Sequence, residues 1–116
     1  MASRNHYFLS IDDLAHARGP IPELSYDGCG PGDFAAALQE ALRSPVLFEY
    51  WKGRQAEPEQ VDRALGITDQ TAQVNARVED LHIAVDLVTD LPMSVVRHRL
   101  NLLIGTSWTL RDMRSV

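Results

Sequence analysis

The stretch Thr71-Ala72-Gln73-Val74-Asn75-Ala76-Arg77-Val78-Glu79-Asp80-Leu81-His82-Ile83-Ala84-Val85-Asp86-Leu87-Val88-Thr89 decides the fold of this chain. Ala72, Val74, Ala76 and Val78 alternate with Gln73, Asn75, Arg77 and Glu79, a period of two that predicts a half-exposed or edge strand. Leu81 to Thr89 is richer in apolar residues, so it reads as a second, more central strand. Glu79-Asp80 supplies the polar turn between them. Two short strands joined this tightly pair antiparallel, and the rest of the chain must cover what they leave bare.

Outward from this pair, Pro92 opens a helix in which Met93, Val96, Leu100, Leu103 and Ile104 share a face. Arg97, His98 and Asn101 project elsewhere, and Gly105 closes it. Trp108 to Met113 predicts a closing strand. Upstream, His6 to Ile11 is aromatic and branched and ends at Asp12-Asp13, so it reads as the first strand. Asp33 is a suitable N-cap for a helix over Phe34 to Arg43, whose apolar face is Phe34, Ala37, Leu38, Ala41 and Leu42. Val46 to Trp51 fits a second helical piece, with a strand as the alternative, and Pro58 to Leu65 fits a short helix stopped by Gly66.

Taken in order, strand, helix, strand, strand, helix, strand predicts an α+β domain of the ferredoxin-like βαββαβ type. Its antiparallel sheet would carry both long helices side by side on one face. In that arrangement the first and third strands are central, and here they are also the more apolar pair. The expected core is Leu38, Leu42, Ile83, Val85, Leu87, Val96, Leu100 and Leu103. With 116 residues and no linker, repeat or low-complexity tract, residues 1–116 read as a single domain.

The bulk composition narrows the function classes. No run approaches the roughly 20 apolar residues of a membrane-spanning helix, and the residues after Met1 lack the apolar stretch of a secretory signal. A cytoplasmic protein is expected, and the one cysteine, Cys29, agrees with a reducing compartment. Charge is polarised: residues 1–92 hold fifteen acids against seven bases, and residues 93–116 hold four arginines against one aspartate. An acidic total argues against non-specific nucleic-acid binding, whereas a positive end suits an acidic protein surface or a second copy of the chain.

Residues 14–32 hold Gly19, Pro20, Pro22, Gly28, Gly30, Pro31 and Gly32, which predicts a long irregular connection with a short extended piece at residues 24–26. Within it, Gly28-Cys29-Gly30-Pro31-Gly32-Asp33 runs directly into a helix, where free amides can meet an anion. This segment resembles the first motif of the class I S-adenosylmethionine-dependent methyltransferases. The resemblance implies cofactor contacts at Gly28, Cys29, Gly30 and Gly32, with Glu49 placed for ribose hydroxyls. Pro22 and Tyr26 depart from that pattern, and no βα alternation follows. A tight turn into the helix is therefore the preferred reading, and no cofactor is expected.

Other constellations are sparse. Four histidines, His6, His16, His82 and His98, lack the spacing of a metal site, so no metal is expected. His82 and Asp86 fit one strand face. Arg97, His98, Arg99, Arg111 and Arg114 form the best basic patch, read first as a solvated face and second as a site for an anionic partner. Stacking on nucleic acid would need Tyr7, Phe8 or Trp108 on the exposed sheet. No convergent catalytic set emerges. A non-enzymatic module that self-associates, most simply as a homodimer, or binds another protein is the expected function; ligand binding through the Gly28–Asp33 loop is the alternative.

Overall fold

The computed structural model describes residues 4–28 and 30–116. Its four strands are β1 (Asn5–Ile11), β2 (Gln73–Glu79), β3 (His82–Thr89) and β4 (Thr109–Ser115), and its helices are α1 (Pro31–Arg43), α2 (Val46–Gly53) and α3 (Met93–Ile104). All neighbouring strands pair antiparallel in the order β2-β3-β1-β4, so the first and third strands are central. The chain is thus α+β with a four-stranded antiparallel sheet. A simple βαββαβ order is not matched exactly, because α2 and two 3-10 turns, Pro58–Gln60 and Arg63–Gly66, lie between α1 and β2.

Apart from Ser10, the two central strands are buried on one side only. Tyr7, Leu9 and Ile11 of β1 and Ile83, Val85, Leu87 and Thr89 of β3 are buried, while His6, Phe8, His82, Ala84 and Asp86 between them retain exposure. The buried set packs with Phe34, Leu38 and Leu42 of α1 and Val95, Val96, Leu100, Leu103 and Ile104 of α3 in one cluster. Both helices therefore cover the same face, and they touch each other. Every expected core residue lies in this cluster. The period-two pattern of β3 and the helical pattern of α3 are two sides of one apolar layer.

Several boundaries differ from the sequence expectation. Helix α1 begins at Pro31 with Gly30 as N-cap, leaving Asp33 inside the first turn. Proline there fixes φ and lacks only an amide that the helix start would leave unbonded. The β2–β3 turn is Asp80-Leu81, one residue later than expected, with Asp80 at φ 56°. Aspartate tolerates this left-handed conformation better than leucine does. The helix expected at Pro58–Leu65 is replaced by the two 3-10 turns, and residues 22–24 turn where an extended piece was expected nearby. Trp108 stays out of β4 because its indole N–H donates to Asn101 Oδ1 and the Gly105 carbonyl. Gly105, at φ 63°, ends α3 beside the Arg18 carbonyl, which a Cβ would crowd at 2.9 Å.

Asp69, just before β2, ties the strand ends together. Its carboxylate accepts from the Thr71 amide at 2.9 Å, the Thr71 hydroxyl at 2.8 Å and the Thr89 hydroxyl at 2.8 Å, with Arg4 at 3.4 Å. Burial alone would push this carboxyl up, but the hydrogen bonds from Thr71, Thr89 and the Asp90 amide together bring it down to about 2. The anion is therefore preferred in the native state relative to the ordinary value of 3.8. That preference contributes stability above the ordinary value and is lost as pH falls toward 2.

Two measurements check this architecture. Leu100→Ala, at a fully buried site, is expected to cost about 2–5 kcal/mol in denaturant titration; a loss under about 1 kcal/mol would mean the α3 face is misassigned. Stability of the wild type is expected to fall by about 2 kcal/mol more than that of Asp69→Asn between pH 5 and pH 2, measured as urea midpoints across that range.

Candidate functional site

The residues singled out in the sequence are dispersed. Around the glycine-rich loop, Arg18 donates to the Gly28 carbonyl at 3.1 Å and the Tyr26 hydroxyl donates to the Gly30 carbonyl at 3.1 Å. Gly28 lies against the Tyr26 ring, whereas a Cβ at Gly32 would meet nothing within 4 Å. Cys29 lies outside the described residues. The principal concavities among the described residues are lined by neither Gly28, Gly30 nor Gly32. Glu49 lies on α2 and lines a different concavity with Phe48, Lys52 and Arg63. Among the described residues, the loop glycines and Glu49 are not gathered around one cavity.

The basic patch also separates. Arg97 is exposed on α3, while Arg111 and Arg114 lie on β4. Arg114 pairs in register with His6 and its guanidinium lies over the Phe8 ring at 5.2 Å, which puts it on the sheet face opposite the helices. His98 is half-buried against Trp51, with ring centroids 4.4 Å apart. Burial, and then the charge of Arg99, hold its pKa below the ordinary value.

Arg99 is the clearest departure from a solvated patch, being fully buried. Its position is dictated by helical spacing: Arg99 follows Val95 and Val96 by four and three residues and precedes Leu103 by four. Its guanidinium donates to the Ala41 carbonyl at 3.0 Å, to the Leu65 carbonyl, and to the Ile67 carbonyl at 3.1 Å. Phe48 lies 5.4 Å from the same cation. Ala41 belongs to the last turn of α1, where carbonyls lack helix partners and attract cations. Burial pulls the Arg99 pKa down to about 10, so it remains charged at neutral pH. This residue fastens the helix layer and contributes nothing to an accessible site.

Apart from concavities along the helix layer, the open sheet face and the β4 edge are accessible. On the open face, His6 stacks on Phe8 at 4.0 Å, Arg77 binds Asp86 at 2.6 Å, and His6 Nε2 lies 3.6 Å from Asp86. His82 and Asp86 do share a face, but Arg77 and His6 are the groups against Asp86. The ring of Phe8 is flanked by His6 and Arg114, and Tyr7 is buried with its hydroxyl on the Leu91 carbonyl. These aromatics are committed to internal contacts rather than displayed as stacking platforms.

Strand β4 is exposed at every residue. Leu110 and Met113 pair with buried Leu9 and Tyr7, so they face the helix side, yet they are 39% and 53% exposed. Among the described residues, no helix makes extensive contact with β4. A bulge between the partners of Phe8 and Leu9 inserts Arg111. The Met113 amide donates to its neighbour Asp112 at 2.8 Å, which places that N–H on the outer edge. Asp112 is itself held by Arg114 at 3.1 Å. By contrast, the Val74 amide on the other edge strand, β2, is taken by Gln39 of α1 at 3.1 Å.

Sequence reading placed Arg99 in a basic patch, whereas it is buried, and it missed Asp69 and the bulge at Arg111. Helical spacing marks Arg99, and Asp69 followed two residues later by Thr71 marks a side-chain-capped turn; no local signal marks the bulge. No family model, no curated protein and no solved structure matches the chain.

The role given to Arg99 has a direct check. Arg99→Met is expected to lower unfolding free energy by about 3 kcal/mol by leaving buried carbonyls unpaired. Arg99→Lys should cost nearly as much, because one ammonium cannot reproduce the planar fork. A loss below about 0.5 kcal/mol, the range of solvated surface residues, would defeat the assignment.

Proposed function

We propose that this domain is a non-enzymatic self-associating module, a ferredoxin-like sandwich elaborated by α2, and that it dimerises through β4. The observation carrying the reading is that β4 offers an unpaired outer edge with Leu110 and Met113 uncovered on the helix side. Edge strands invite pairing unless blocked, and closed two-fold dimers are the commonest homo-oligomers.

The geometry favours one register. In a strand, the N–H and C=O of one residue point to the same edge, and those of Met113 point outward. A two-fold axis at Met113 would let these groups bond reciprocally between copies. Both helix layers then lie on one side of a continuous eight-stranded sheet. Met113 meets its symmetry mate on the helix side, while Asp112 of each copy meets Arg114 of the other on the open side. The local bonds from Met113 to Asp112 and from Arg114 to Asp112 are exchanged for equivalents across the axis, so pairing costs few hydrogen bonds. Exposed ion pairs contribute little individually, and they serve chiefly to fix register.

Light scattering at tens of micromolar is expected to give twice the 13.0 kDa chain mass. Met113→Lys, which sets two cations against each other on the axis, is expected to give the single-chain mass with unchanged thermal stability at low concentration. A wild-type mass of 13.0 kDa at that concentration, or a Met113→Lys protein that remains dimeric, rejects pairing through this edge.

A further inference from the structure

The open sheet face is not flat. Ser10 of β1 and Ala84 of β3 are register partners, and their small side chains leave a trough walled by Phe8, His82 and Arg111, with a volume of about 350 Å³. Ser10 also lines a second concavity of about 270 Å³, shared with Asp12, Asp13, His16, Thr109 and Trp108. The two meet at Ser10.

The partners already engaged determine what is left to bind. Within the trough, Arg77 is taken by Asp86 at 2.6 Å and Glu79 at 3.2 Å, and Asp86 also faces His6. Asp80 is an exposed carboxylate at the hairpin end of the trough. Among the described residues, Arg111 has no ion-pair partner, His82 has no hydrogen-bond partner, and neither does the Ser10 hydroxyl, although Ser10 is only 6% exposed. Ser10 lines both concavities, so its hydroxyl is open to whatever occupies them. Arg111 is the residue that the bulge inserts, and bulges re-aim side chains beside functional sites.

We propose that the trough binds a small hydroxylated oxyanion, a sugar phosphate or sugar acid, through Arg111, Ser10 and His82. The guanidinium provides the planar fork that phosphate and carboxylate groups match, and the Ser10 hydroxyl and His82 ring add donors. The acid-lined concavity across Ser10 would repel a second anionic group. There Asp13 is held by His16 at 2.8 Å, the Asp12 carboxylate accepts hydrogen bonds from ligand hydroxyls, and Thr109 adds a further hydroxyl. One end of the ligand is thereby anionic and the other neutral and hydroxylated. All contacts come from one chain, so this site is independent of pairing through β4.

The test is a titration of the full chain with glucose 6-phosphate, gluconate, inorganic phosphate and glucose at fixed ionic strength. Backbone amide shifts are followed in the wild type and in Met113→Lys. Saturable shifts at Ser10, His82, Ala84 and Arg111 are expected for glucose 6-phosphate, gluconate or both, in both proteins. Whichever saturates identifies the anionic group as phosphate or carboxylate. Inorganic phosphate should bind more weakly and glucose should not bind. Arg111→Gln should weaken binding about tenfold, and Arg114→Gln by less than about twofold. Asp12→Asn should weaken the hydroxylated ligand while leaving inorganic phosphate unchanged. Non-saturating shifts, glucose 6-phosphate and gluconate no tighter than inorganic phosphate, or equal losses from Arg111→Gln and Arg114→Gln would overturn the proposal. Unchanged amide spectra elsewhere establish that each variant is folded.

Discussion

A single buried cation organises the helix layer. Arg99 reaches from α3 to the last turn of α1 at Ala41 and to the Leu65 and Ile67 carbonyls of the connection that follows α2. Among the described residues, no carboxylate pairs with it; its charge is balanced by peptide dipoles and the face of Phe48. Such a group is costly to desolvate, so it holds its place only while all three carbonyls converge. Convergence fixes where α1 ends, where the 3-10 turn at Arg63–Gly66 sits and how α2 folds against them. The irregular segment between α1 and β2 is therefore ordered by a polar constraint rather than by a second apolar core.

With the helices fastened over one side of the sheet, its other side and the β4 edge are left uncovered. Helix α1 lies along β2 and caps an edge amide through Gln39, whereas β4 has no comparable cover. The proposed pairing through that edge and the proposed binding on the open face would use different groups of the same strand. Leu110 and Met113 face the helix side, while Arg111 lines the trough. The bulge at Arg111 lets one short strand serve both directions. It resets the side-chain alternation, so that Leu110 and Met113 share a face although they stand an odd number of positions apart.

The sequence was most legible where side-chain period and burial coincide. Val74, Ile83 to Leu87 and the Val96-Leu100-Leu103 stripe mark the strands, the helix faces and the core, whereas the period of two runs on in β2 to an exposed Val78. Apolar burial is the largest favourable contribution to folding, and regular backbone makes it periodic along the chain. Arg99 escapes such a reading because charge suggests solvent, although its spacing places it among Val95, Val96 and Leu103. The prominence of the Gly28–Asp33 segment is a matter of composition. The Gly28 and Gly30 carbonyls are occupied by Arg18 and Tyr26, whose roles nothing in the local pattern announces. The trough was invisible because it depends on the pairing of Ser10 with Ala84, a relation between strands far apart in the chain.

The one-sided burial of β1 and β3 has an evolutionary consequence. Along each central strand, alternate positions answer to different selective demands: Tyr7, Leu9 and Ile11 to cohesion, and His6, Phe8 and Ser10 to whatever meets the open face. Substitutions at the second set leave the apolar layer untouched, and those at the first leave the trough chemistry untouched. Divergent copies of this chain can therefore change the chemistry of the open face at every second residue while the apolar layer is kept.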